Sequence, residues 1–495
     1  MLEKLKPKKV FRFFEEISQI PHGSGNTTEI SNYLVRFARD RELEYIQDEL
    51  HNVIIIKEAT KGYEEKEPFI IQGHMDMVAV SDSDAGIDML HEGLELEVCG
   101  DYVSAKGTSL GGDDGIAVAY ALAILDSEDI PHPRLEVVIT VEEEVGMEGA
   151  FFVDLSMLKG KRLLNIDSDE EGKLTTGCAG GIRVNGKIPV DWEELAVGEA
   201  TKEGGWKQEY KAYRILITRL TGGHSGLDIW KSGGNSNLLM GELTGRLLKL
   251  AQARPNSLTG GTKDNVIPCE SELTVLVKNE NSDVLLGIVH DFDNEIRERL
   301  QKTDPDVRIE IGEIVILGIK EVSVLTAESA DRICQFLESV PNGAQKRRPS
   351  AWEEVLTSLN CGIIRLEETG FMTTHLIRSE IKAEKKEFAD TVKGLIEKFQ
   401  GEAVTGGDYP SWEHREKSEL RERMIQVYRE LYQKEPKVTT DHAGLECGIL
   451  ADKIKDLDCI SFGPDMEDIH TTQERISISS VERTWNFLLA VLKEG

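Results

Sequence analysis

One stretch constrains the chain more than any other: Val137 to Met147, V-V-I-T-V-E-E-E-V-G-M. A β-branched apolar run stops abruptly at three consecutive carboxylates, Glu142, Glu143 and Glu144. Without polar alternation, the run reads as a strand buried on both faces, the pattern of a parallel sheet. The acids then stand at the strand's C-terminal end, where open α/β sheets form their active-site crevices. Neighbouring strand residues point to opposite faces. Glu143 and Glu144 therefore reach one site only if the backbone leaves strand geometry, and Val145-Gly146 directly after them allows that. Alone, a glutamate triplet is more simply a solvated loop. The ends of the other strands decide between these readings.

His74 and Asp76, in G-H-M-D-M, follow the apolar strand Pro68 to Gln72. Asp113 and Asp114 stand in G-G-D-D-G, which opens the apolar helix Ile116 to Leu125. Asp167 ends the strand Arg162 to Ile166, and His470 lies in the polar loop D-I-H-T-T-Q-E before a closing helix, Ser479 to Leu492. Each has a plain structural role open to it: a satisfied histidine, a helix N-cap at Asp113, a turn at Asp167. Their recurrence at strand ends and a helix start is poorly explained by independent chance. Two histidines with several carboxylates and no cysteine suit zinc or a similar divalent ion with an open coordination position. Two ions ~3.5–4 Å apart need a shared carboxylate. Asp76, two residues past His74, lies on the same side if the strand continues and can then hold the imidazole. One glutamate left beside a metal-bound water makes a general base.

The rest of the chain falls into two patterns. Up to about residue 181, helices (Lys9 to Ile20; a second, capped by Thr27, to about Arg41) alternate with buried strands such as Asn52 to Lys57. Ser81 to Leu96 reads as an acidic surface insertion, and T-G-C-A-G-G, Thr176 to Gly181, as a boundary. From Ile182 to about Phe399 amphipathic strands (Tyr213 to Leu220, Ser271 to Lys278, Val307 to Ile316) alternate with long helices (Ser236 to Ala251, Asn281 to Gln301, Ala327 to Ser339). That pattern predicts an α+β domain with a one-sided antiparallel sheet, with loops at 191–207 and 342–352. After Gly401 the first pattern returns, with a helix around Lys417 to Tyr432 and a strand near Cys459. The expected organisation is therefore an α/β domain of residues 1–181 and 400–495, with residues 182–399 inserted into it.

A formal charge of -31 argues against a nucleic-acid partner and against an anionic membrane surface. The longest apolar run, Gly115 to Leu125, falls short of the ~18 residues of a membrane helix. The basic N-terminus, M-L-E-K-L-K-P-K-K-V, leads into no apolar segment, so no signal peptide is expected. The 7 cysteines are scattered and never spaced C-x-x-C, which fits free thiols in a reducing cytoplasm.

The motifs G-H-M-D-M-V, L-G-G-D-D-G, E-E-E-V-G-M-E-G-A, N-I-D-S-D-E, G-C-A-G-G, G-G-H-S-G, G-D-Y-P-S-W and H-A-G-L-E-C-G run in order across nearly the whole chain. Through them the sequence resembles the aminoacyl-histidine dipeptidases (peptidase D, also called cytosol non-specific or β-alanyl-histidine dipeptidases). These belong to the wider clan of co-catalytic di-zinc exopeptidases. The resemblance implies a mixed-sheet α/β catalytic domain with an inserted α+β lid and dimerisation domain. It also implies a cytoplasmic homodimer that hydrolyses dipeptides, Xaa-His and broader, including β-Ala-His, with two Zn2+ per chain for which Co2+ or Mn2+ can substitute. By the same resemblance His74, Asp113 and Asp167 bind one zinc, and Asp113, Glu144 and His470 the other. Asp113 bridges, Glu143 is the general base and Asp76 orients His74. His224, Asn265, Arg378 and Gly444 fall at substrate-binding positions. Three positions depart from the family pattern: Asp114 in place of Asn, Glu142 in place of Thr or a small residue, and T-T-Q-E after His470 in place of S-P-D-E. The rival readings are another hydrolase of the clan (a tripeptidase, an N-acyl amino-acid deacylase or a carboxypeptidase) and a non-catalytic peptide-binding protein. Loss of Glu143 or of a ligand would favour the last, and neither is lost.

Overall fold

The computed structural model describes residues 2–200, 205–348 and 351–494. The chain packs as two units. One comprises Met1–Cys178, Trp412–Asp441 and Leu445–Gly495; the other comprises Ala179–Ser411 with His442–Gly444.

The first unit is built on an eight-stranded sheet. Its order is Glu44–Gln47, Val53–Lys57, Leu135–Thr140, Phe69–His74, Arg162–Asn165, Asp458–Ser461, Lys173–Cys178 and Lys437–Asp441. The central trio, Leu135–Thr140, Phe69–His74 and Arg162–Asn165, is parallel, whereas Val53–Lys57 joins antiparallel, so the sheet is mixed. The apolar runs alternate between two cores. Val53, Ile55, Phe69, Ile71, Val137 and Ile139 face one core, and Ile54, Ile56, Ile70 and Val138 face the other. Burial on both faces is why these strands read as continuous apolar runs. The helix Gly112–Leu125 is buried throughout apart from Asp113, and its residues from Ile116 to Leu125 belong to the first core. Its Ala/Ile/Leu composition leaves it no polar face to offer water.

The second unit holds a nine-stranded sheet, antiparallel throughout its described pairings. Its order is Arg308–Ile314, Tyr210–Thr218, Ser271–Lys278, Arg254–Gly260, Ala351–Glu367, Gly370–Ser379, Gly180–Ile188 and Glu402–Tyr409, with Gly343–Arg348 paired to Ala351–Glu367. The helices Ser236–Ala251, Ser282–Arg299, Ala327–Ser339 and Lys382–Lys398 share its main core.

Several local expectations are corrected. Residues 191–207 and 342–352 are largely strand, not loop, where they are described. Trp192–Ala196 pairs with Glu321–Leu325, Gly198–Ala200 with Trp206–Gln208, and Gly343–Arg348 is a strand; residues 201–204 and 349–350 lie outside the described residues. Glu402–Tyr409 pairs with Gly180–Ile188, so this stretch continues the second sheet instead of beginning the return to the first pattern. Thr27 precedes the helix Thr28–Arg39 but has αR backbone angles and makes no side-chain cap bond.

Candidate metal centre

His74 is the last residue of its strand and is buried. The strand ends at His74 and the chain turns, so strand alternation is not what places Asp76. The Nδ1 of His74 meets the main-chain oxygen of Asp76 at 2.9 Å, while the Asp76 carboxylate lies 3.5 Å away. In the neutral tautomer with Nδ1 donating to this carbonyl, the lone pair is on Nε2. The Asp76 carboxylate accepts more closely from Ser24 Oγ (2.8 Å) and from the main-chain N–H groups of Glu143 (3.1 Å) and Glu144 (3.4 Å).

Those two bonds hold the turn that the glutamate triplet forms. The backbone leaves strand geometry before the acid pair, not after it. Glu142 adopts a left-handed φ of 57°, and Glu143–Gly146 is a single helical turn. Leaving the strand lets two consecutive side chains point away from the alternation that would separate them. Glu142 turns to the N-terminal loop, where both of its oxygens accept from Gly25 N (2.8 and 2.9 Å).

Asp113 does not cap its helix. One carboxylate oxygen is 3.2 Å from His74 Nε2 and the other is 3.2 Å from His470 Nε2. His470 Nε2 also meets Glu144 Oε1 at 3.0 Å, and Asp167 Oδ1 is 3.8 Å from His74 Nε2. The ligand atoms of His74, Asp113 and Glu144 all lie within 4.8 Å of one another, as do those of His74, Asp114 and Asp167. The second grouping brings in Asp114, which accepts from the main-chain N–H of His74 at 3.2 Å while its other oxygen is buried without a hydrogen-bond partner.

The electrostatics are those of crowded acids around two imidazoles. Burial opposes a charge on His74, but hydrogen bonds to Asp113 and Asp76 outweigh it and raise its pKa well above the ordinary value. Hydrogen bonds to Asp113 and Glu144 raise His470 to about 10. Burial, and then repulsion from Asp113 and Asp114, pushes the Asp167 carboxyl well up. Burial with Asp167 and Glu144 nearby does the same to Glu143. Nitrogen and oxygen donors with this concentration of negative charge fit divalent cations of the zinc class, whose charge offsets the repulsion among the acids.

Nothing in the spacing marks Glu446, the acid of H-A-G-L-E-C-G. It is buried, accepts from Thr140 Oγ1 at 2.6 Å and from the Gln72 amide, and burial raises its carboxyl to about 7. Its bonds tie the helix Glu446–Lys453 to the strands that end in His74 and Thr140.

The second unit holds the other expected residues. His224 Nε2 is 3.3 Å from Arg378 Nη2, and Arg378 Nη1 donates to the Tyr409 hydroxyl at 2.7 Å. The main-chain oxygen of Asn265 accepts from Ser225 N at 2.8 Å. Gly444 lies two residues beyond His442, whose Nε2 is 2.8 Å from Ser358 Oγ. Burial, then the Arg378 charge, lowers His442 to about 3. Gly226 admits no side chain, because a Cβ there would collide with the His442 carbonyl oxygen. His442, Tyr409 and Ser358 join this cluster without any sequence signal beyond the motifs that contain the first two.

Comparison with known proteins gives a consistent result. The model of Peptidase family M20/M25/M40 matches residues 70–494. The chain is similar to the Cytosol non-specific dipeptidase of Escherichia coli, 31% identical over 494 residues covering 100% of this chain and 99% of that one. It is similar to the solved Aminoacylhistidine Dipeptidase from Vibrio alginolyticus, with a TM-score of 0.85 and 32% identity over 100% of this chain and 98% of that one. A tripeptidase from Staphylococcus aureus shares the fold at a TM-score of 0.54 and 16% identity, covering 99% and 98%.

Proposed function

The chain belongs to peptidase family M20/M25/M40 and is a metallopeptidase, and from that premise we propose that it hydrolyses dipeptides, Xaa-His among them, at a centre of two divalent ions. The names of the Escherichia coli and Vibrio alginolyticus relatives support the substrate class. The observation that carries the metal reading is Asp113, with one oxygen 3.2 Å from each of two imidazole nitrogens. His74, Asp113 and Asp167 would hold one ion, and Asp113, Glu144 and His470 the other; zinc is the proposed metal. When bound, such ions polarise a peptide carbonyl and lower the pKa of water.

The protein's own groups supply the rest. The Asp76 carbonyl keeps the His74 Nε2 lone pair directed at the cluster. Glu143 takes the proton of the attacking water onto its carboxylate and hands it to the leaving amine nitrogen. Arg378 takes the substrate's C-terminal carboxylate as a charge-assisted pair, and His224 donates to the oxyanion of the tetrahedral intermediate. Asn265 and Gly444 complete the substrate set.

Residues 182–399 serve in this reading as a lid through which two chains pair, with His224 acting on the partner's site. Mixing a His224→Ala chain with a Glu143→Ala chain tests it. Each mixed dimer keeps one intact site, so exchange should restore up to about half of wild-type activity; confirmed exchange without activity refutes the trans role. A cytoplasmic location accompanies the proposal. Among the described residues no helix is long and apolar enough to cross a membrane.

The deciding experiment strips the purified protein of metal, adds back zinc, manganese or cobalt, and profiles hydrolysis across dipeptides, tripeptides and N-acyl amino acids. Metal-dependent cleavage of dipeptides is expected. Preference for tripeptides or N-acyl amino acids would overturn the substrate class, and full activity of the stripped protein would overturn the metal reading.

A further inference from the structure

Glu474 ends the segment D-I-H-T-T-Q-E that carries His470, and the proposed chemistry gives it no task. It is 3% exposed. Its two oxygens accept from four consecutive main-chain N–H groups. Leu110 N (2.8 Å) and Gly111 N (3.1 Å) bond to Oε2, while Gly112 N (2.8 Å) and Asp113 N (3.3 Å) bond to Oε1. A carboxylate has about four acceptor positions, and this loop fills all of them. The loop is shaped to do so. Gly111 has a left-handed φ of 66°, and a Cβ on Gly112 would stand 3.2 Å from Oε1. Asp113 itself has non-helical backbone angles within its helix, so helical hydrogen bonding does not dictate where its carboxylate points.

We propose that Glu474 is a positioning residue that fixes the main chain of residues 110–113, and through it holds the Asp113 carboxylate between His74 and His470. One short segment thus supplies both an imidazole, at His470, and the clamp that presents the shared carboxylate to it. The inference rests on the reading of Asp113 as a ligand common to two ions. A glutamine at this position has one acceptor oxygen and an NH2 group. It can serve about two of the four N–H donors and sets its own donors against the others. The loop then loses its anchor on the side of Gly112 and Asp113 or on the side of Leu110 and Gly111.

The test titrates metal-stripped wild type, Glu474→Gln, Glu474→Asp and Tyr120→Phe with Co2+, reading stoichiometry and visible spectrum directly and affinity by chelator competition. Tyr120→Phe removes a buried hydrogen bond from the same helix to Val481 (2.9 Å) and controls for loss of stability alone. Glu474→Gln is expected to bind Co2+ about 10–100-fold more weakly, the usual cost of removing a group that orients metal ligands, with an altered spectrum. Its kcat should fall with KM for a dipeptide little changed. Glu474→Asp, which keeps the charge on a shorter arm, should fall between it and wild type, and carries the test if the glutamine variant does not fold. Unchanged affinity and spectrum in the folded variants, or an equal loss in Tyr120→Phe, overturns the assignment. Wild type that binds no Co2+ overturns the metal-centre reading beneath it, a separate and distinguishable result.

Discussion

Asp76 lets two accounts of one carboxylate be separated. Its position after His74 suggests a group that orients the imidazole, yet the closer partner of His74 Nδ1 is the Asp76 main-chain oxygen at 2.9 Å. Asp76→Ala keeps that bond. What it removes is the acceptor for Glu143 N at 3.1 Å, for Ser24 Oγ at 2.8 Å, and for Glu144 N at 3.4 Å, together with a longer 3.5 Å contact to His74 Nδ1. A hydrogen bond to a charged group contributes about 1.5–3 kcal/mol, and the 3.4 Å contact is too long to add much. If the Glu143 bond places the proposed base, its loss costs about 1.5–3 kcal/mol of transition-state stabilisation, or roughly 10–150-fold in kcat. Metal affinity should change by less than about tenfold, because the closer support of His74, the 2.9 Å main-chain contact, is retained and only the 3.5 Å carboxylate contact is lost. Loss of an imidazole-orienting carboxylate would instead cost ~10–100-fold in affinity. The assay is kcat on a dipeptide at saturating metal, with affinity measured by chelator competition. A 10–100-fold loss of affinity with kcat within about twofold of wild type would show that Asp76 acts through His74, and the reasoning from the Glu143 turn would fail.

Asp113→Ala should lose both ions in elemental analysis, since one carboxylate reaches both imidazoles; two tightly held ions in that variant would refute the sharing. Glu143→Gln should lower kcat by ~10²–10⁴, the usual contribution of a general base, with both ions kept, whereas Glu144→Gln should weaken one ion; equal metal loss in the two variants would refute the division of roles. His375, buried in the second unit, has its pKa lowered by burial from 6.5 to about 4. The unfolded chain therefore takes up the proton first, and this contribution to stability is full above pH ~6.5 and drains as pH falls toward ~4, by at most about 3 kcal/mol. The melting temperature of His375→Gln should accordingly fall less than that of wild type between those pH values, and parallel curves would refute the burial argument.

The central strands of the first unit were legible because burial on both faces leaves long apolar runs, as at residues 53–56 and 137–139, whereas outer strands such as Glu44–Gln47 and Lys437–Asp441, exposed or half-buried, were not. Helices with a wide apolar stripe were legible to the residue, as at Ser236–Ala251 and Ala327–Ser339. The strands Trp192–Ala196 and Gly343–Arg348 were not. Their residues are half-buried or exposed, and what makes them strands is a partner supplied elsewhere, such as Glu321–Leu325 for Trp192–Ala196. Period-2 patterning requires one buried face, and these strands lack one.

The side chains now linked by contacts of 3.0 to 3.8 Å (His74, Asp113, Glu144, Asp167 and His470) were all visible as ligand types, four at strand ends or a helix start and His470 in a polar loop. Of the groups that hold them, Asp76 was visible as a partner for His74 but not as an acceptor for the Glu143 and Glu144 main chain, and Glu474 was not visible at all. Asp76 and Glu474 act largely on main-chain N–H groups, and every non-proline residue offers the same donor. A pair of side chains leaves two marks on a sequence, whereas a carboxylate serving the backbone leaves one, and that one reads as an ordinary surface acid. Glu142 shows the consequence. Read by position it is a third acid beside the metals, yet both its oxygens take the Gly25 N–H. The residues that shape a site through the backbone are thus the ones for which spacing is least informative, and for which the distances to main-chain nitrogen decide the role.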